Sequence, residues 1–392
     1  MSLVITNGTN QIPISYVAFD QASNCFLCYE DKNDEPIFRY DLPFTIAALP
    51  SAQYTEKIYL FKNDFVTSNV LLKLKLKETP IPKQLVGYIF PLSSLKDNPS
   101  IFSNEHLKST AFNVLYKLLS ERDLSLKANS PIYRTDGAYE LTDFYDEDLI
   151  VVVICDQFVA FPNYSFVDYL PALFKFGFRM APHYNFNPPP SDCNLILDNY
   201  NQLQAAVTIS IPKNQLHLNY FINSLLKNDL FLKDNEVARF HLYYQVVEMM
   251  MEKVYKNEFK NQIIEKFNTL AAYDIKESSR TLTKETFSLD KLVGTNYSTI
   301  DGNILDELRI CIESFLAYIG ITYNSNEVSA KIYKVRNTLF HGYSKILENS
   351  HLDKLRINNH LKKVNDALEY LLIDIVTTYK DHVVPVAAIA VP

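Results

Sequence analysis

The chain is poor in the residues that build several common kinds of functional site. It has no tryptophan and only 8 glycines among its 392 residues, and it contains no G-x-x-x-x-G-K-[S/T] segment. A glycine-rich loop that cradles phosphates is therefore disfavoured. Its 5 cysteines are an odd number without a secretory signal, which indicates reduced thiols rather than a disulfide framework.

Metal-binding signals are equally scarce. Cys25-Phe-Leu-Cys28 is a lone C-x-x-C, whereas a structural zinc site needs a second ligand pair at suitable spacing; two cysteines in a strand-rich segment is the favoured interpretation. Asp143-Phe-Tyr-Asp-Glu-Asp148 resembles a carboxylate cluster for Mg²⁺. It lacks an ordered ligand spacing, so a solvated turn is favoured there. We therefore expect neither a metal nor a cofactor.

Long hydrophobic runs are also missing. No stretch of about 18 apolar residues is present, and Met1-Ser-Leu-Val-Ile-Thr-Asn7 lacks the basic and apolar regions of a signal peptide. We expect a cytoplasmic protein without a membrane partner.

The net charge of −7 comes mostly from an acidic excess before residue 234. An acidic segment binds nucleic acid poorly, because non-specific affinity depends on neutralising phosphates. Any contact with nucleic acid is therefore expected in the C-terminal part of the chain, and to be local.

Residues 1–230 are predicted to form a β-rich mixed region with one long helix at 104–123, and a division into two subdomains is left open. Short apolar or alternating runs separated by Asn, Asp and Pro clusters are typical of strands. The predicted strands cover residues 17–19, 25–29, 57–61, 70–76, 149–155 and 205–211.

The pattern changes near Asp234, because prolines are absent from there to Lys380 and apolar residues recur at helical spacing. An all-α antiparallel bundle over residues 234–380 is the natural packing, which gives the chain an α+β fold class. Residues 274–303 are predicted to be a surface insertion. Residues 381–392 form an apolar, proline-broken tail whose role the sequence leaves open. The apolar stripes of the predicted helices cover residues 237–254, 259–270, 305–319, 328–339 and 361–375.

One of these helices carries the residues that suggest chemistry. The segment Lys331-Ile-Tyr-Lys-Val-Arg-Asn-Thr-Leu-Phe-His-Gly342 is predicted to stop at its glycine. On a helical wheel, Asn337 and His341 are neighbours away from the apolar stripe, and Arg336 lies at its border. At a helix end, His341 would be favoured in its protonated form by the dipole.

These residues resemble the HEPN superfamily, whose mark is an Arg, four to six residues, then a His, often with a polar residue after the Arg. Arg336-Asn-Thr-Leu-Phe-His341 fits this pattern. Phe240-His-Leu-Tyr-Tyr-Gln-Val-Val-Glu248 is similar to the first helix of many members, in which an acidic residue faces the motif. The resemblance covers roughly residues 235–380, and none is identified in residues 1–230.

The resemblance implies a metal-independent endoribonuclease that leaves a 2′,3′-cyclic phosphate. Arg336 would hold the phosphate, His341 would act as acid or base, and Asn337 would orient His341 or the phosphate. Glu248 would hold Arg336 in place. Because cleavage needs both an acid and a base, a homodimer with a composite site is expected.

Three lysines flank the motif and could follow an RNA backbone, although charges on a helix face are more often simply solvated. They are Lys331, Lys334 and Lys345.

The implied biology is prokaryotic phage defence, abortive infection or a toxin–antitoxin pair, with residues 1–230 recognising a trigger or a regulatory protein. Some HEPN members have lost catalysis and serve as modules for dimerisation or for binding RNA or protein. That alternative stays open from sequence, as does a nucleotide-binding regulatory module.

Overall fold

The computed structural model describes two compact units. The first takes the described residues up to 165 together with 177–181 and 206–210, and the second takes 166–176 and those from 212 onward. Strands dominate the first unit and helices the second, which confirms the predicted α+β class. The described residues are 3–7, 10–30, 35–47, 56–63, 65–66, 70–77, 84–120, 139–159, 165–181, 206–210, 212, 214–229, 235–294, 296–348 and 352–380.

The first unit contains a six-stranded sheet, a three-stranded sheet and a two-stranded ribbon. Its strands are β1 (Leu3–Asn7), β2 (Asn10–Ile14), β3 (Tyr16–Asp20), β4 (Cys25–Tyr29), β5 (Pro36–Asp41), β6 (Lys57–Lys62), β7 (Leu72–Leu76), β8 (Gln84–Pro91), β9 (Ile150–Ile154), β10 (Arg179–Met180) and β11 (Ala206–Ile209). Its helices are α1 (Ser94–Asp97), α2 (Pro99–Phe102), α3 (Glu105–Ser120) and α4 (Asp156–Val159).

The six-stranded sheet has the order β10-β6-β9-β8-β7-β11. Every residue of β9 is buried, as expected of a β-branched strand in the interior of a sheet that is covered on both faces. β11 pairs with β7 in parallel, and the other neighbours in this sheet are antiparallel. The three-stranded sheet β3-β4-β5 packs on α3 through the rings of Phe26 and Phe112, whose centroids are 4.8 Å apart.

The second unit is helical. Its helices are α5 (Leu170–Phe174), α6 (Tyr220–Ser224), α7 (Glu236–Phe259), α8 (Ala272–Leu282), α9 (Glu285–Val293), α10 (Gly302–Tyr318), α11 (Val328–Glu348) and α12 (Lys354–Thr378). The change of sequence pattern near Asp234 coincides with the start of α7, whose first amides are capped by the side chain of Asn235. The unit nevertheless also includes the earlier residues 166–176 and 212–229 that the structure describes.

Two details of the helical region differ from the sequence prediction. No separate helix forms at 259–270: α7 continues into a π-helical turn, Lys260–Ile264, and the Phe267 side chain that was expected in an apolar stripe is 61% exposed. The predicted insertion at 274–303 instead contains α8 and α9. Leu289 and Leu292 are buried because α9 packs against α7 and α11.

The predicted antiparallel arrangement is only partly correct, because the helix directions are mixed. α10 and α12 are antiparallel, because Asp301 near the start of α10 contacts Asp374 near the end of α12, while Ser314 meets His360. α7 and α12 run in the same direction, since successive turns of α7 meet successive turns of α12. The short helices α8 and α9, which lie between α7 and α10 in the chain, allow α7 and α12 to be parallel neighbours.

A buried ionic cluster joins α7 to α12. The Arg239 side chain is 1% exposed and donates hydrogen bonds to Asp366 at 2.7 Å and to Glu369 at 2.8 Å. It also donates to the hydroxyl oxygen of Tyr243 at 3.0 Å, and that hydroxyl donates to Glu369. Glu236 completes the cluster at 3.4 Å. Buried charges are tolerated only when paired in this way.

No helix in the described ranges is both long enough and apolar enough to cross a membrane. The tail at 381–392 lies outside the described residues.

Replacing Arg239 by Leu is expected to destabilise the protein by about 3–5 kcal/mol, because Asp366 and Glu369 would lose their buried cation. The matched control is Arg309→Leu, whose guanidinium is 38% exposed in its ion pairs on α10 and contributes about 0–1 kcal/mol. Denaturant unfolding of both variants measures the difference. Equal losses for the two variants would show that the cluster does not hold α7 to α12.

Candidate functional site

Helix α11, which carries Arg336 and His341, does not stop at Gly342. It continues to Glu348, and Ile346 is buried and extends the apolar stripe of Ile332, Val335 and Leu339. The expectation that His341 lies at a helix end is therefore wrong. Gly342 does not have the positive φ of a terminating glycine, which Gly320 does have at the end of α10. The helix dipole acts mainly within the last turn, and His341 lies about two turns before the end of α11.

Arg336 faces α7. One Nη atom lies 3.7 Å from a carboxylate oxygen of Glu248, and the guanidinium lies 4.8 Å from the ring centroid of Phe340 and 5.8 Å from that of Tyr244. The other Nη donates a hydrogen bond of 2.9 Å to the side-chain oxygen of Asn337. The side chain is only 19% exposed. The structure thus brings together three of the predicted site residues: the arginine, the amide and the acid.

His341 lies apart from this group. Five residues along a helix correspond to a rotation of about 140°, so Arg336 and His341 leave α11 in different directions. The His341 side chain is exposed and hydrogen-bonds to no residue that the structure describes. Within one chain, then, the two side chains do not start toward a common point.

The predicted lysines do not form a strip beside Arg336. Lys331 is 3% exposed and pairs with Glu313 of α10 at 2.7 Å, so the structure does not place it on the solvent face that was predicted for it. Lys334 is half-buried and lies over the ring of Tyr323, 5.9 Å from its centroid. The side chain of Lys345 lies outside the described part of the structure.

A second histidine, which the sequence analysis missed as a site residue, lies beside Arg336. The ring centroid of His241 on α7 is 3.9 Å from that of Phe340 on α11. Burial lowers the pKa of His241 below 6.5; the negative charge of Glu248 opposes this shift, and Arg336 adds to it. The signal was the spacing, because His241, Tyr244 and Glu248 are three and four residues apart and share one helix face.

Two hydrogen-bond donors at this site are buried without a protein acceptor among the described residues. They are the Nε–H of Arg336 and the hydroxyl of Tyr244. Tyr244 is 0% exposed, and burial raises its hydroxyl pKa, so it stays protonated and able to donate. Both atoms are closed off from solvent, so neither is open to an incoming acceptor in this conformation.

An acidic cleft of about 410 Å³ opens next to Glu248, on the side that faces away from His241. It lies between α7 and the turn from α8 to α9, and its lining includes Glu248, Glu252 and Glu285. A cluster of carboxylates repels phosphate. An anion would therefore reach Arg336 more easily from the side of His241 and Phe340, whose ring is 39% exposed.

The candidates for metal binding are occupied by other interactions. Asp143 closes a capping box with Glu140, and Asp146 and Asp148 both pair with the buried Lys62. Cys25 and Cys28 are free thiols and buried. Over the described ranges, no group of three or more His, Cys, Asp or Glu side chains has a geometry that could hold a metal ion.

Comparison with known proteins yields no match: neither a family model, nor a curated protein, nor a solved structure is significantly similar to this chain.

Exchange of Gly342 for Ala tests the continuous helix. A Cβ at this position meets open space, so the substitution is expected to stabilise the protein by about 0.5–1 kcal/mol. Gly320→Ala is the matched control, and the φ of +76° at that position makes it destabilising. Thermal unfolding distinguishes the two, and a destabilised Gly342→Ala variant would place a helix end there after all.

The protonation of His241 gives a second test. The pKa of His241 is lower in the folded state than in the unfolded chain, so the unfolded chain takes up a proton first. The free energy of unfolding should therefore decrease as the pH falls from 6.5 to the folded-state pKa. NMR titration should give a pKa below 6.5, lower still in Glu248→Gln and higher in Arg336→Gln. A wild-type pKa above 6.5 would contradict the burial of this ring.

Proposed function

We propose that the chain is a metal-independent endoribonuclease of the HEPN type, acting as a homodimer with a composite active site. The observation that carries the proposal is the setting of Arg336: a largely buried guanidinium that packs on the ring of Phe340 and is held by Glu248 and Asn337. A fixed, permanently charged fork of this kind suits the non-bridging oxygens of a phosphodiester.

The chemistry follows from the side chains available. The 2′-hydroxyl of RNA attacks the adjacent phosphorus, and the products are a 2′,3′-cyclic phosphate and a 5′-hydroxyl. Arg336 stabilises the charge that develops on the phosphate oxygens. His341 exchanges a proton with the reacting oxygens, because an imidazole titrates near neutral pH.

A second protomer is part of the proposal because Arg336 and His341 diverge by about 140° on one helix. An exposed His341 of one protomer would reach the Arg336 of the other across a two-fold axis, which gives two equivalent sites. Asn337 lies between the two residues on the wheel and is expected at the centre of this interface.

In the cell, we propose that cleavage serves prokaryotic phage defence or a toxin–antitoxin pair. The β-rich residues 1–230 would recognise a trigger or restrain the nuclease, and the protein would act in the cytoplasm.

The competing function is a non-catalytic module for dimerisation or for binding RNA or protein. The divergence of Arg336 and His341 within one chain favours it, because a residue pair kept only for packing or binding need not converge on one phosphate. The two functions differ in one measurable respect, which is cleavage.

Arg336→Ala and His341→Ala are each expected to lower cleavage of a labelled RNA by at least about 100-fold in the presence of EDTA. The matched controls are Arg309→Ala on α10 and His360→Ala on α12, which should retain activity. A 1:1 mixture of the two inactive variants should recover activity, since one site of the mixed dimer keeps both groups. Absence of cleavage by the wild type, with dimers intact in all variants, would support the non-catalytic module instead.

A further inference from the structure

We propose that His241 is the general base of this reaction, so that one chain supplies both the phosphate-binding cation, Arg336, and the group that removes the 2′-hydroxyl proton. The inference rests on the proposed function and adds to it a catalytic residue from α7, outside the Arg-x4-His motif.

The geometry that carries it centres on one aromatic ring. The guanidinium of Arg336 lies 4.8 Å from the ring centroid of Phe340, and the imidazole of His241 lies 3.9 Å from the same centroid, tilted by 39°. Two polar groups that contact one ring are close enough to meet a single nucleotide. His341 of the same chain points away by about 140°.

The site is open to a substrate on this side. Phe340 is 39% exposed and His241 is half-buried, so the edge of the imidazole can be approached from solvent.

The protonation state of His241 fits a proton acceptor. Its burial keeps the imidazole neutral at pH 7, and the charged groups facing it are Glu248 from α7 and Arg336 from α11. Arg336 disfavours a positive charge on the ring before the reaction. Glu248 partly compensates the positive charge that the ring gains when it takes a proton.

The proton balance is complete with two imidazoles. The 2′-oxygen forms a bond to phosphorus while the bond from phosphorus to the 5′-oxygen breaks, and His241 takes the proton of the 2′-hydroxyl. His341 of the second protomer, protonated beforehand, gives a proton to the departing 5′-oxygen. Exchange with water then restores both rings.

The test uses a DNA oligonucleotide with one ribonucleotide, in two forms that differ in the leaving atom, 5′-oxygen or 5′-sulfur. A thiolate leaves without being protonated, so the sulfur substrate bypasses the general acid but not the general base. With the oxygen substrate, His241→Gln and His341→Gln should each slow cleavage by about 10²–10⁴-fold. With the sulfur substrate, His341→Gln should recover and His241→Gln should stay slow.

Two further measurements separate catalysis from folding. Imidazole added to the solution should partly restore His241→Ala, which a misfolded variant would not show. The acidic limb of the pH dependence of kcat/KM should vanish in His241→Gln, because it reports protonation of the base. His360→Gln is the matched control and should keep the wild-type profile.

The outcomes separate the role of His241 from the proposed function. If Arg336→Ala and His341→Gln are slow while His241→Gln is as fast as the wild type, the proposed function stands and His241 is not the base. If the sulfur substrate rescues His241→Gln, the assignment of its role is overturned. If the wild type cleaves neither substrate, the proposed function itself fails.

Discussion

The helical unit depends on one buried charge, the guanidinium of Arg239, which lies between α7 and α12 and neutralises Asp366 and Glu369. The two carboxylates could not be buried without it, and α12 could not then lie at the centre of the unit. The contact also fixes the rotation of α7 about its axis. With Arg239 and Tyr243 turned to α12, the opposite face of α7, which carries His241 and Glu248, is turned to α11.

The candidate site is a consequence of that rotation. Successive turns of α7 supply Glu248, Tyr244 and His241, and these meet Arg336 and Phe340 on the antiparallel α11. The acid keeps the guanidinium in place, and the aromatic rings shield it from water, which strengthens its interaction with an anion. The acidic cleft on one side and the exposed Phe340 ring on the other give the site a direction of approach.

Periodicity predicted most of the helical region, since the stripes that define α7, α10, α11 and α12 were visible in the chain. The errors have local causes. Gly342 was taken for a helix end, although a glycine in open space costs a long helix only about 1 kcal/mol, and the burial of Ile346 outweighs that cost. The polar segment at 274–303 forms two helices because a few apolar side chains, such as Leu289 and Leu292, find a buried place against α7 and α11.

By itself the sequence determined the α+β class and the positions of most of the main helices, because helical spacing and side-chain type are properties of the chain alone. It indicated Glu248 as a neighbour of Arg336 only by resemblance. Which histidine accompanies Arg336 was decided by tertiary structure: His341 is five residues away on the same helix and faces solvent, whereas His241, almost a hundred residues earlier, contacts the same aromatic ring. Helix packing brings such distant residues together, and no spacing along the chain records it.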